Sequence, residues 1–145
     1  MKCLFIVTEF LPGPGGIGVH AYNVINELHK QFDVQFHIVL TENYNSTDDE
    51  LKLFSESYMF PINLLKGAPT IFKLIRNVHF LVKNTNKLKP DIIITSGKHA
   101  TWYGACLKFF LRKKLICFAH GSEFGTKSKK EIRINNLCYS YVDKL

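Results

Sequence analysis

The chain has 145 residues, 46% of them apolar and 13% aromatic, with a formal net charge of +7. A domain of this size buries roughly two-thirds of the surface its unfolded chain exposes, and the supply of Phe, Ile, Leu and Val excludes a disordered chain. A membrane-spanning helix is excluded too: the greasiest region, Met59 to Val82, is broken by Lys66, Lys73 and Arg76, short of the ~20 apolar residues a span requires.

Met1-Lys2 leads into only six apolar or small residues before Glu9, too few for the core of a signal peptide. Cys3, Cys106, Cys117 and Cys138 are scattered, with no Cys-x-x-Cys pair, which fits core thiols in a reducing compartment rather than zinc ligands or disulfides. Both features point to the cytoplasm. Charge is unevenly placed. Residues 1–73 hold five Lys/Arg against eight Asp/Glu, and residues 74–145 hold fourteen against four. A basic half of this kind attracts an anion: nucleic acid, phospholipid headgroups or a phosphorylated substrate.

In chain order, Cys3–Val7 is a continuous apolar run, the mark of a strand buried on both faces. After the turn from Glu9 to Gly16, residues Ile17, Ala21, Val24, Ile25, Leu28 and Phe32 recur at helical spacing. Val34–Leu40 alternates as a second strand, Asn43–Glu50 reads as a polar loop, and Tyr58–Ile62 as a short strand. Ala68–Leu88 carries a helical stripe that Pro90 ends. Asp91–Thr95 is a buried strand, Lys98–Leu111 a helix, Lys114–Ala119 a strand, and about Lys129–Tyr141 a last helix. The apolar Val142 and Leu145 around a charged pair resemble the approach to another strand, so the chain is expected to be the front part of a longer protein. Strand and helix alternate throughout. The expected fold is α/β, a Rossmann-like doubly wound parallel sheet with helices on both faces.

Ligands bind such sheets beyond the carboxyl ends of the strands, where loop amides and helix N-termini converge. Three loops meet that condition. The first, Glu9 to Gly18, holds four of the nine glycines, in Gly13-Pro14-Gly15-Gly16-Ile17-Gly18. Glycines there let backbone approach an anion; a tight turn with no ligand is the competing reading. The second loop, His120-Gly121-Ser122-Glu123, sets an imidazole at the end of a strand, where it could bond a hydroxyl or phosphate or simply the backbone. His120 and Glu123 are too few to hold a metal. The third, Thr95-Ser96-Gly97-Lys98-His99, offers hydroxyls and basic groups before a helix, with Ser96 either an N-cap or a ligand contact. His20, one turn into the first helix, is placed to point toward the same cleft. His29, His37 and His79 read as surface or core residues.

The glycines formally match G-x-G-x-x-G, the mark of a nicotinamide or flavin dinucleotide site in an oxidoreductase. Against this, four residues separate the strand from the first glycine, and only Glu42 stands where an acidic ribose partner belongs. No phosphate loop of the G-x-x-x-x-G-K-[ST] type is present, and no recognised nucleic-acid-binding motif.

A strand followed by Glu9-Phe10-x-Pro12-x-x-Gly15-Gly16-Ile17-Gly18-x-His20, then Pro90-Asp91-Ile92-Ile93-Ile94-x-x-Gly97, then His120-Gly121-x-Glu123, resembles the N-terminal domain of retaining GT-B glycosyltransferases of family four. The resemblance runs over essentially the whole chain. It implies one of two Rossmann-like lobes, mainly the acceptor side, facing a C-terminal lobe that binds a nucleotide-sugar donor such as a UDP- or GDP-sugar. It also implies that Gly15, Gly16, Ile17 and Gly18 approach donor phosphates and acceptor, and that His120 contacts the transferred sugar. The resemblance further implies that His20, Ser96, Gly97, Gly121 and Glu123 line the substrate site. The sugar donor is a co-substrate, so no cofactor or metal is expected. The family's Glu-x7-Glu motif has no match, so residues 1–145 alone are expected not to turn over.

The acceptor class implied is a glycan or a lipid-linked saccharide. Lys108, Arg112, Lys113, Lys114, Lys127, Lys129, Lys130 and Arg133, with Phe109 and Phe110 among them, form either solvated helix faces or a dock for an anionic inner membrane surface.

Overall fold

The computed structural model describes residues 1–13, 15–41, 47–65, 71–121, 125 and 128–145, with the side chains of 71–74 outside that description. The apolar run at the start of the chain is β1 (Lys2–Val7), followed by α1 (Gly16–Phe32), β2 (Gln35–Leu40), α2 (Asp48–Ser57) and β3 (Ile62–Leu64). The second half repeats the alternation: α3 (Ile71–Leu88), β4 (Ile92–Ser96), α4 (Lys98–Leu111), β5 (Lys114–Phe118) and α5 (Lys129–Ser140). All strand pairs are parallel, in the order β3-β2-β1-β4-β5. The order reverses between β1 and β4.

Successive residues of each central strand point to opposite faces, so two cores form. Cys3, Phe5 and Val7 pack with Ile25 of α1, Leu51 of α2, Phe36, Ile38 and Phe60. Leu4 and Ile6 pack with Leu81 of α3, Tyr103 and Leu107 of α4, Ile93 and Leu115. Phe5, Ile6, Ile25, Ile93, Leu107 and Leu115 are fully buried, each stabilising the fold by about 1.5–3 kcal/mol. α5 is tied to α4 by Trp102 Nε1 donating to Asn135 Oδ1 at 2.8 Å and by the Lys98–Glu131 ion pair at 3.2 Å. Beyond α5, Lys144 forms a parallel bridge with Ile116 at the outer side of β5.

Three sequence expectations need correction. Asp48, Asp49 and Glu50 open α2 rather than ending a loop; Asn43 to Ser46 lie outside the described residues. The helix starts there because Thr47 accepts from the Glu50 N–H while the Glu50 carboxylate accepts from the Thr47 N–H at 2.8 Å, a reciprocal cap. The third strand is Ile62–Leu64, since Tyr58 and Phe60 turn into an aromatic cluster with Phe54, Phe10 and Phe36. The cap of α4 is Gly97, not Ser96.

The cysteines are free thiols; Cys3, Cys117 and Cys138 are buried and Cys106 is half-buried. Burial pushes the thiols of Cys3 and Cys106 up, and that of Cys138 up to about 11. They behave as small core hydrophobes.

Candidate active site

The reversal of strand order opens a crevice at the carboxyl ends of β1 and β4, because the helices that follow them leave toward opposite faces. The Thr8 N–H donates to Ser96 O at 3.0 Å across its floor. Both helices that begin there are capped by glycine. Gly15 caps α1 and Gly97 caps α4, each without a side-chain cap bond and with no acidic residue in the first turn. First-turn N–H groups of an uncapped helix carry partial positive charge, worth about 0.3–1 kcal/mol to an anion at an exposed site.

The glycines serve different ends. Gly97 has φ +101°, and a Cβ there would lie 2.2 Å from Thr8 Oγ1, so only glycine fits. Gly18 is buried with its Cβ position 3.2 Å from the Phe10 backbone, and it lets the loop lie against α1. A Cβ on Gly15 would fall 2.2 Å from Glu9 Oε2, whereas Gly16 is exposed with open space around it. The corner therefore opens at Gly16, with the Glu9 side chain lying against Gly15. Ile17 is half-buried and packs toward the first core.

On the neighbouring side, β5 delivers His120 to the same end of the sheet. Ser96 Oγ lies 2.9 Å from His120 Nε2. Ser96 itself is 0% exposed, so it sits behind the imidazole and holds its orientation instead of facing the cleft. His20 reaches over from α1, its ring centroid 5.5 Å from that of His120 and nearly perpendicular to it, and 5.3 Å from Phe118. His20, Phe118, Ala119 and His120 with Leu145 line a cleft of about 350 Å³. Gly121 is exposed with nothing near its Cβ position, while Glu123 lies outside the described residues. Thus the structure brings Gly15, Gly16, His20, Gly97 and His120 to one end of the sheet.

The sequence reading missed Thr8. Its hydroxyl is buried beside Gly97 and has no hydrogen-bond partner among the described residues. Among the described residues no group of three His, Cys, Asp or Glu side chains could hold a metal ion. Of the remaining histidines, His29 Nδ1 lies 3.0 Å from Val34 O and His37 pairs with Asn63 at 2.7 Å.

An open parallel sheet of this order, with two glycine-capped helices at its switch point, defines a Rossmann-like domain of the kind found as one half of GT-B proteins. The model of Glycosyltransferase Family 4 matches residues 14–144. The chain belongs to glycosyltransferase family 4. Nothing among curated proteins matches it.

Solved structures do. The lipopolysaccharide outer core galactosyltransferase WaaB is similar over 99% of this chain and 38% of its own, at 18% identity and a TM-score of 0.70. HepE from Anabaena, in complex with UDP, is similar over 98% of this chain and 36% of its own, at 21% identity and a TM-score of 0.69. MurG from Acinetobacter baumannii covers 98% and 39%, at 16% identity and 0.65. The chain spans less than two-fifths of the length of these proteins.

Proposed function

We propose that this chain is the acceptor-side lobe of a glycosyltransferase that moves a sugar from a nucleotide-sugar donor to a glycan or lipid-linked acceptor. The observation that carries the reading is the convergence of the Gly15-Gly16 helix corner and His120 at one end of the sheet, in a family 4 chain. Similar structures bear on the donor class: HepE is described with UDP and with UDP-glucose, and WaaB is named a galactosyltransferase. The competing dinucleotide reading is not favoured, because the matching family is one of glycosyltransferases.

The chemistry asks for two things. Breaking the donor's glycosidic bond builds negative charge on the leaving diphosphate and positive charge at the anomeric carbon. Oriented amides at Gly15, Gly16 and Ile17 oppose the first by fixed electrostatics, without reorganising as the bond breaks. The His120 imidazole, steadied by Ser96, contacts the transferred sugar. His20, Gly97, Gly121 and Glu123 belong to the acceptor side. In this reading the nucleotide-sugar is a co-substrate and no cofactor or metal takes part. A second, donor-binding domain completes the site, and residues 1–145 alone do not turn over. The protein works in the cytoplasm and at the inner membrane face; among the described residues no helix is long and apolar enough to cross a membrane.

Nuclear magnetic resonance titration of the chain with UDP-glucose, a GDP-sugar and NAD tests this. Sugar nucleotides are expected to shift the amides of Gly15, Gly16 and Ile17 and the ring of His120. Tighter binding of NAD at the same amides, or sugar-nucleotide shifts confined to another part of the molecule, would overturn the reading.

A further inference from the structure

A second hollow, of about 440 Å³, lies away from the transfer cleft, between α3 and the β2–β3 side of the sheet. Leu4 and Val39 of the sheet and Leu81 and Leu88 of α3 make its apolar wall. The rest of the sheet's contribution is polar. Phe36 and Ile38 of β2, and Ile62 and Leu64 of β3, pack on the first core. The residues between them, His37 and Asn63, therefore face the α3 layer. Parallel pairing sets Asn63 opposite Val39 and diagonal to His37, and Asn63 Nδ2 lies 2.7 Å from His37 Nε2. Both side chains are half-buried and both line the hollow. Polar groups on a strand face that a helix covers are uncommon where the surroundings are Leu and Val.

Their hydrogen bond leaves an unused edge. Burial holds the His37 imidazole below its ordinary value, so near neutral pH the ring is uncharged and Nε2 accepts from Asn63 Nδ2. Asn63 keeps its second amide proton beside Oδ1, a donor and an acceptor in one plane. An edge of this kind pairs with the complementary edge of a heterocycle, as asparagine does with adenine. Phe80, 49% exposed, stands at the rim as an aromatic partner for a flat ring. The exposed Lys87 brings a cation to the same rim. Among the described residues no carboxylate lines the hollow.

These features choose between ligand classes. A saccharide would set its hydroxyls against four aliphatic side chains. An acyl chain would leave the Asn63 edge without a partner in apolar surroundings. A flat heterocycle with an anionic substituent meets the aliphatic wall, the amide edge and the lysine together.

We propose that the hollow between α3 and the β2–β3 edge binds a nucleoside monophosphate, with the base edge on Asn63, the ring between Phe80 and the aliphatic wall, and the phosphate at Lys87. The hollow shares no residue with the histidine cleft, and the proposal does not depend on the function proposed above.

The test is nuclear magnetic resonance titration of the chain with UMP, with AMP, and with ribose 5-phosphate, which has the phosphate but no base. At least one nucleotide is expected to shift the His37 ring, the Asn63 side-chain amide and the methyls of Leu81 and Leu88, saturating in the millimolar range or below. Ribose 5-phosphate is expected to shift none of them. Asn63→Leu should weaken binding about tenfold, and Lys87→Gln about threefold. Leu88→Phe, which fills the hollow without touching a polar group, should abolish the shifts. Thermal melting shows whether each variant folds, and Lys87→Gln, at an exposed position, decides the matter if the other two melt early. The proposal is overturned if neither nucleotide shifts these signals, if ribose 5-phosphate shifts them equally, or if folded variants bind as the wild type does. It is overturned too if nucleotide shifts fall only on Gly15, Gly16 and Ile17, a result that leaves the transfer function standing.

Discussion

Ser96 Oγ and His120 Nε2 lie 2.9 Å apart although 24 residues separate them in the chain. The serine ends β4 and the histidine follows β5, and the parallel register of those two strands, Ser96 opposite Phe118, brings them together. A hydroxyl that is itself fully buried can turn neither toward solvent nor toward a ligand, so it determines which edge of the ring faces inward.

Ser96→Ala removes that restraint. A half-buried ring nitrogen that loses its partner costs about 1–3 kcal/mol, and part of this cost should be met by rotation of the ring. Nitrogen-detected spectra of the imidazole are expected to show an altered tautomer balance for His120, with that of His29 unchanged. In a longer protein of the proposed function, one that carries a donor lobe, kcat is expected to fall about tenfold or more with little change in KM for the donor. Spectra identical to wild type would remove Ser96 from the site.

Gly97 and Gly16 separate folding from binding. Gly97→Ala sets a side chain at φ +101° against Thr8. The strain and the overlap together should cost about 3 kcal/mol, roughly a 10 °C drop in Tm for a domain of this size. Gly16→Ala meets open space and should leave Tm unchanged while weakening sugar-nucleotide shifts at the α1 corner. Equal Tm losses for the two variants would contradict the geometry.

Thr8→Val replaces a buried hydroxyl that has no hydrogen-bond partner among the described residues with a methyl of similar shape. Relief of the desolvation cost should raise stability by about 1–2 kcal/mol, measured by urea denaturation. A loss of stability would mean that the hydroxyl has a partner, such as an ordered water.

His37 makes stability depend on pH. Burial holds its imidazole below the ordinary value of 6.5, so on acidification the unfolded chain takes up this proton before the folded one does. The contribution is complete above about pH 6.5 and is lost as pH falls through the depressed folded value. Denaturation series across that range should show a slope in the wild type that His37→Gln reduces. Equal slopes would exclude His37 as the source.

Much of this was legible in the chain. The continuous apolar runs at Cys3–Val7 and Asp91–Thr95 and the stripe from Ile17 to Phe32 follow from burial on two faces and on one face respectively, and each folds as its spacing requires. Lys98–Leu111 coincides with α4. The start of α2 was also written, in Thr47-x-x-Glu50 behind Asp48 and Asp49, but the polar composition of the segment masked a local capping signal. The glycine corner and His120 could be read from their positions at strand ends. Three site features could not: the partner of Ser96, the packing role of Gly18 and the buried hydroxyl of Thr8. Each depends on which strands become neighbours, and local sequence does not state that.

A surface hollow lined by Lys108, Phe109, Arg112 and Tyr141 opens at Lys114, where β5 begins, and the histidine cleft lies past Phe118, where it ends. Four residue steps of strand amount to about 13 Å. The two hollows therefore stand at opposite ends of one strand, and a small ligand seated in one is out of reach of the groups that line the other.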